Sequence, residues 1–273
     1  MKTAFNGVQV LTALKQAYPQ KVEEVSVRNG DLAIRVNSEW FLWAEGRLLP
    51  EEIAEEGPEV IERYTPYPFY TYTQDLPPLP ELSEEEKNAL NNRINHREED
   101  PPSRHPGFYN ALWRVYDKDS SWARVKTTFF LGMKTEVHRE LLEDLAAVEE
   151  TVLKQMEADG ELRRFVKALG QLEGYNWRRI AGTASLSFHS YGTAIDVLPY
   201  SYGGKQAYWR WAKTHNPEWY SLPYEKRFTP PRSFIAAFEQ HGFIWGGKWF
   251  YFDTIHFEYR PEILILNGYR PQY

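Results

Sequence analysis

The period of the apolar positions changes several times along the chain. Residues 9–17, Gln-Val-Leu-Thr-Ala-Leu-Lys-Gln-Ala, read as a short helix. From Val22 the pattern alternates: Val25 and Val27, then Asn29-Gly30, then Leu32, Ile34 and Val36. Asn-Gly between alternating apolar residues predicts a hairpin, because both residues accept the positive φ that a two-residue turn needs. Trp40, Leu42 and the run to Leu48-Leu49-Pro50 predict a third strand. Residues 1–56 are thus expected to form a small β-rich N-terminal module.

A second pattern follows. Prolines stand at 58, 66, 68, 77, 78, 80, 101, 102 and 106, and aromatics alternate with them between Tyr64 and Tyr72. Leu76-Pro-Pro-Leu-Pro80 reads as extended polyproline. Ser83 before three glutamates predicts a helix N-cap with an acidic first turn. Residues 57–105 read as a connector that wraps the following domain. A flexible linker is the alternative, and the density of aromatics argues against it.

From residue 106 the pattern predicts helices and then strands. Thr135 is expected to cap a long helix carrying Val137, Leu141, Leu145, Val148, Val152 and Met156, with His138 and Glu140 on it as solvated or packing residues. Gly160 interrupts it. Leu162 to Leu169 is predicted to be another helix, closed by Gly170. Gly174–Ile180 and Thr193–Leu198 read as strands, the second ended by Pro199. Residues 205–214 and 233–241 read as helices, the latter capped by Ser233 and stopped by Gly242, with His215 and His241 near the two C-termini. Phe243-Ile244, Trp249–Phe252 and Ile255–Tyr259 supply more strand. The order predicts an α+β fold for residues 106–273.

Composition narrows the chemistry. The net charge is −6, so no basic field favours nucleic acid. No apolar run is long enough for a membrane span, and the first twenty residues lack a signal-type apolar stretch. With no cysteine, a transition metal has only His, Asp and Glu to bind. Ten Trp, 18 Tyr and 15 Phe fit either dense core packing or a groove lined with rings.

Two segments bring histidine and carboxylate together: Ser187-Phe-His189-Ser-Tyr-Gly192-Thr-Ala-Ile-Asp196 and Asp253-Thr-Ile-His256-Phe-Glu258. A catalytic zinc takes three protein ligands and keeps a fourth position open. Two neutral imidazoles and one carboxylate leave net positive charge, which lowers the pKa of bound water toward ~7. A carboxylate that is not a ligand then takes the proton. His189, Asp196 and His256 suit the ligand roles and Asp253 the base, with Gly192 allowing the turn that faces His189 and Asp196 to one point. For either segment alone, packed or hydrogen-bonded residues are the favoured reading over ligands. No His-Glu-x-x-His, Ser-x-x-Lys, Gly-x-Ser-x-Gly or phosphate-binding glycine loop occurs. Glu258 reads as structural rather than catalytic.

Ser-x-His-x-x-Gly-x-Ala-x-Asp followed by Asp-x-x-His-Phe-Glu resembles the LAS group of zinc peptidases. More narrowly, it resembles the VanY-like D-alanyl-D-alanine carboxypeptidases and the related L-alanyl-D-glutamate endopeptidases. Tyr175-Asn-Trp-Arg178-Arg-Ile-Ala-Gly182 resembles the family's arginine-bearing strand, and Gly242-Phe-Ile-Trp245-Gly-Gly-Lys-Trp249 its Gly-Phe-x-Trp-Gly-Gly-x-Trp element. The resemblance spans about residues 132–262.

It implies helices packed on a small, mainly antiparallel sheet. It also implies one Zn2+ per chain on His189, Asp196 and His256, with Asp253 as general base. Arg178 would hold the scissile carbonyl or a substrate carboxylate. Arg179 competes for that role, since strand alternation points only one of the two inward. Ser187 would bond substrate, and Trp245 and Trp249 would line the cleft or the core. The implied substrates are peptidoglycan stem peptides, cut as a carboxypeptidase or an endopeptidase, at the cell envelope. A non-catalytic, zinc-containing wall-binding protein is the competing reading. The stretch from Pro199 to Arg232 is the part expected to shape substrate choice. Chemistry is expected to be confined to the C-terminal half, so that a chain beginning near Pro106 suffices for it.

Overall fold

The computed structural model describes residues 5–70 and 72–272. The chain divides into two compact units. One takes in the described residues of Met1–Tyr70, Glu81–Ala123 and Trp177–Ser190; the other takes in those of Thr71–Pro80, Arg124–Asn176 and Tyr191–Tyr273.

In the first unit, helix α1 (Gly7–Ala17) opens with a capping box in which Asn6 and Gln9 satisfy each other's amides. Strands β1 (Val22–Arg28), β2 (Asp31–Val36), β3 (Glu39–Ala44) and β4 (Arg47–Pro50) form an antiparallel meander in that order. Asn29 and Gly30 turn the first hairpin at φ +53° and +92°. The expected single third strand is two strands, because Glu45 and Gly46 also take positive φ and turn the chain. Short helices α2 (Glu51–Ala54) and α3 (Pro58–Ile61) follow. Helix α4 (Glu84–Glu99) starts at Ser83, whose side chain and Glu86 form the capping box the sequence predicts. Then come α5 (Gly107–Trp113) and α6 (Lys118–Trp122).

The second unit departs from expectation at its start. Strands β5 (Val125–Phe130) and β6 (Met133–His138) form a hairpin across Leu131-Gly132, whose φ values are +51° and +76°. Thr135 and Val137 therefore lie on a strand, not in a helix. Their spacing to Leu141 mimics a helical period, and a leucine at positive φ gives no turn signal. Helix α7 (Leu142–Gln155) begins only after a 3-10 turn at Arg139–Leu141, and buries Leu145, Val148 and Val152. His138 ends the strand and Glu140 lies in the 3-10 turn, so neither is on the long helix; of the two roles open to it, the full burial of His138 makes it a packing residue.

Helix α8 (Gly160–Lys167) is shorter than expected, because Leu169 and Gly170 already belong to strand β7 (Leu169–Glu173). The strand expected at 174–180 thus lies earlier, and only Arg179 of that stretch makes an isolated bridge, to Leu186. Next come β8 (Ala194–Pro199), α9 (Trp209–His215), α10 (Arg232–Gln240), β9 (Phe243–Trp245), β10 (His256–Tyr259) and α11 (Pro261–Leu266). Residues 205–208 are not helical: Gln206 and Tyr208 make isolated bridges. Ser233 lies inside the first turn of α10 and bonds Asp159 at 2.7 Å instead of capping it. Trp249–Phe252 is not a strand.

The sheet order β7-β8-β10-β9 is antiparallel throughout, so the molecule combines helices with small antiparallel sheets. Its core includes Phe234 and Phe238 of α10 against Phe243 and Phe257, with the Phe238 and Phe257 rings stacked 4.1 Å apart. Truncating one such ring costs about 3–5 kcal/mol.

Candidate metal centre

Strand register gathers the chemistry into a row. Glu173 on β7 stands opposite Asp196 on β8, and Asp196 stands opposite His256 on β10. Residues directly opposite across an antiparallel pair share a face, so a carboxylate, a carboxylate and an imidazole leave the sheet on one side.

His189 reaches the site from a 3-10 turn, Phe188–Tyr191. Gly192 then bends the chain at φ +69°. A Cβ there would stand 2.7 Å from the backbone nitrogen of His138, whose N–H donates to the Gly192 carbonyl at 2.8 Å. Only glycine meets both demands, the positive φ and the close approach. One ligand atom each from His189, Asp196 and His256 lies within 4.8 Å of the others, and all three residues are buried. Ligands ~2.0–2.1 Å from a tetrahedral zinc stand roughly 3.3 Å apart. The three atoms are thus close to the spacing of a metal site, and two nitrogens with one carboxylate oxygen are donors that zinc accepts.

The His256 ring is held at both nitrogens: Nδ1 lies 2.8 Å from Asp196 Oδ1 and Nε2 3.2 Å from Glu258 Oε2. Burial alone would lower its pKa, but the hydrogen bonds and charges of Asp196 and Glu258 outweigh burial and raise it to about 10. Without metal the ring is an imidazolium between two carboxylates. Were a metal held here, the Nε2–H of His256 would still donate to Glu258, a contact of the kind that orients a ligating histidine. Glu258 is anchored by Arg260 at 3.0 Å, and Arg260 by Glu262 at 2.6 Å, all buried. Sequence reasoning missed the bearing of these residues on the site, although His256 and Glu258 are two apart and so share a strand face.

Asp253 is half-buried. Its N–H donates to Gly246 O at 3.1 Å, its carbonyl accepts from His256 N–H at 3.3 Å, and it forms an isolated bridge with Tyr208. Trp249, also half-buried, sets its ring 5.4 Å from that of His256. Trp245 is 2% exposed and donates its indole N–H to Thr254 O at 2.8 Å. Of the two roles open to it on sequence, that burial favours the core. Ser187 is buried, with its hydroxyl 3.4 Å from the His189 amide.

The Arg178 backbone is laced to the His189 turn. Its N–H donates to Ser190 Oγ at 2.9 Å, and its carbonyl accepts from Ser190 Oγ at 2.7 Å and Ser187 N–H at 3.0 Å. The Arg178 guanidinium is exposed and pairs with no described residue, whereas that of Arg179 donates to the Ala184 carbonyl. The alternation expected to choose between them does not operate, since this stretch is not a regular strand. Tyr202, unnoticed in the sequence, is half-buried. Burial first, then the charges of Asp253, Asp196 and Glu173, raise its pKa, so it stays a proton donor through neutral pH.

Residues 181–259 match the family model described as D-alanyl-D-alanine carboxypeptidase. The matched segment holds His189, Asp196, Asp253 and His256; Arg178 lies just outside it. Less than a third of the chain is covered, so the likeness to the VanY-like family is a coarse one. Residues 10–69 match the model of a domain of unknown function. No curated protein and no solved structure matches the chain. Among the described residues no helix is long and apolar enough to cross a membrane.

Proposed function

We propose that this chain is a zinc metallopeptidase of LAS-type fold that hydrolyses peptide bonds in the stem peptides of bacterial peptidoglycan, at the cell envelope. The observation that carries the reading is the buried convergence of His189, Asp196 and His256 inside the carboxypeptidase-like segment. When bound, zinc supplies a Lewis acid and lowers the pKa of its water. Asp196, His189 and His256 would hold the ion, and Glu258, which accepts the Nε2–H of His256, would orient that ring. Asp253 accepts the proton of the attacking water and returns it to the leaving amine. Trp249 and Tyr202 border the reacting bond, and Ser187 braces His189. Arg178 binds the developing oxyanion or a terminal carboxylate, tasks for a permanently charged, forked group. Its uncommitted guanidinium favours a D-alanyl-D-alanine carboxypeptidase over an endopeptidase, because a terminal carboxylate needs a cation.

The deciding experiment incubates the zinc-loaded protein with defined muropeptides and reads product masses, with a chelator control. Loss of a terminal D-alanine that the chelator abolishes is expected. Cleavage within the stem instead makes the enzyme an endopeptidase. In parallel, His189→Ala is expected to lose most of its zinc; stoichiometric zinc in that variant refutes the ligand set.

A further inference from the structure

We infer that Tyr72, from the proline-rich segment, is a positioning residue for the candidate base Asp253; the inference rests on the metallopeptidase reading. Tyr72 is 2% exposed and belongs to the same compact unit as Asp253. Its hydroxyl donates to Glu239 Oε1 at 2.5 Å and accepts the backbone N–H of Trp245 at 2.9 Å. At the other end of the same short turn, Lys248 Nζ donates to Glu239 Oε1 at 2.6 Å, to Gln74 O at 2.8 Å and to Tyr269 Oη at 2.8 Å. The turn Trp245–Lys248 is thus fastened at both ends to one buried carboxylate and to the 72–74 backbone segment.

That turn in turn holds the site. The Gly246 carbonyl accepts the amides of both Trp249, at 3.2 Å, and Asp253, at 3.1 Å. There is no slack, for a Cβ on Gly246 would stand 2.5 Å from the Asp253 carbonyl oxygen. Burial, then Glu239, keep the Tyr72 phenol protonated well into the alkaline range, so the donor is always present. A buried Lys–Glu pair is weak stabilisation, since apolar residues of equal volume do as well. What the polar network adds is one geometry for the loop that presents Asp253 and Trp249. A chain beginning near Pro106, which the sequence suggests is sufficient, lacks the hydroxyl that fixes it.

The test is Tyr72→Phe in the full-length, zinc-loaded protein. A roughly tenfold fall in kcat is expected, with KM and zinc stoichiometry within twofold of wild type, the pattern of a lost transition-state interaction. Hydrogen exchange at the Trp249 and Asp253 amides is expected to quicken while that of β7 stays unchanged. A kcat within twofold of wild type, or zinc lost in proportion to activity, overturns the inference. Should the wild type cleave no muropeptide, the metallopeptidase reading itself fails. The exchange measurement then decides alone: faster exchange confined to 246–253 upholds the positioning, and unchanged exchange refutes it. If Tyr72→Phe does not fold, Lys248→Gln loosens the other end of the turn and is read by the same criteria.

Discussion

Replacing Glu258 by glutamine tests how the candidate metal centre is tuned. The substitution keeps the shape but removes the charge that faces His256 Nε2 at 3.2 Å and Arg260 at 3.0 Å. Arg260 retains Glu262 at 2.6 Å, so the buried guanidinium is not stranded. An amide no longer commits Nε2 to carrying the proton, and the Nδ1 lone pair is no longer reserved for metal. Loss of such a partner costs 10- to 100-fold in metal affinity, about 1.4–2.7 kcal/mol. The metal-free protein supplies a second readout. His256 is raised from 6.5 to about 10, so its stabilising contribution is complete below pH ~6.5 and is lost as pH rises through 10. The slope is at most about 1.4 kcal/mol per pH unit in that window. Glu258 supplies part of the upward shift, so the variant's stability should fall less steeply as pH approaches 10. Chelator competition at pH 7 and urea unfolding of metal-free protein at pH 8.5 and 9.5 measure both. Zinc affinity within threefold of wild type, together with identical slopes, would refute the assigned role.

Other substitutions separate the remaining parts. Asp253→Asn is expected to keep zinc and lose turnover; zinc loss measured by metal analysis would make Asp253 a ligand. Arg178→Lys keeps the charge but loses the fork, so kcat/KM should fall at least about tenfold, roughly 1.4 kcal/mol. Arg179→Lys should matter less, and the reverse order in kinetics would exchange the two roles. Gly192→Ala forces a Cβ to 2.7 Å from His138 N at φ +69°. A loss of more than about 1 kcal/mol, seen in urea unfolding, is expected there.

What was legible in the sequence rests on local signals. The Asn29-Gly30 turn, the Ser83 cap, and the histidine and carboxylate spacing within each segment depend on few neighbours. What failed depended on turns with atypical residues: Leu131 at positive φ converted a predicted helix start into the β5–β6 hairpin. Strand β7 was misplaced because Leu169 continued the period of α8, although the helix stops at Lys167. The links from Glu258 to His256 and from Tyr72 to Trp245 were invisible for different reasons. The first needs the strand face to be known, and the second joins residues far apart in sequence.

The pairing of Asp196 with His256 across β8 and β10 has a consequence for how such a chain can change. The long excursion between these positions begins and ends in strands that are hydrogen-bonded neighbours. The spacing of these two candidate ligands is therefore set by the ladder, not by the length of the intervening segment. Lengthening a flexible excursion costs little, about 0.6 kcal/mol for each doubling, and leaves the two ligands facing each other. Insertions and deletions in the loops between Pro199 and Arg232, outside helix α10 and strand β9, can accordingly redraw what the proposed enzyme accepts while the candidate centre stays intact, provided the Trp245–Lys248 turn keeps its fastenings. A slip of one residue in the ladder, by contrast, would send one ligand to the opposite face of the sheet.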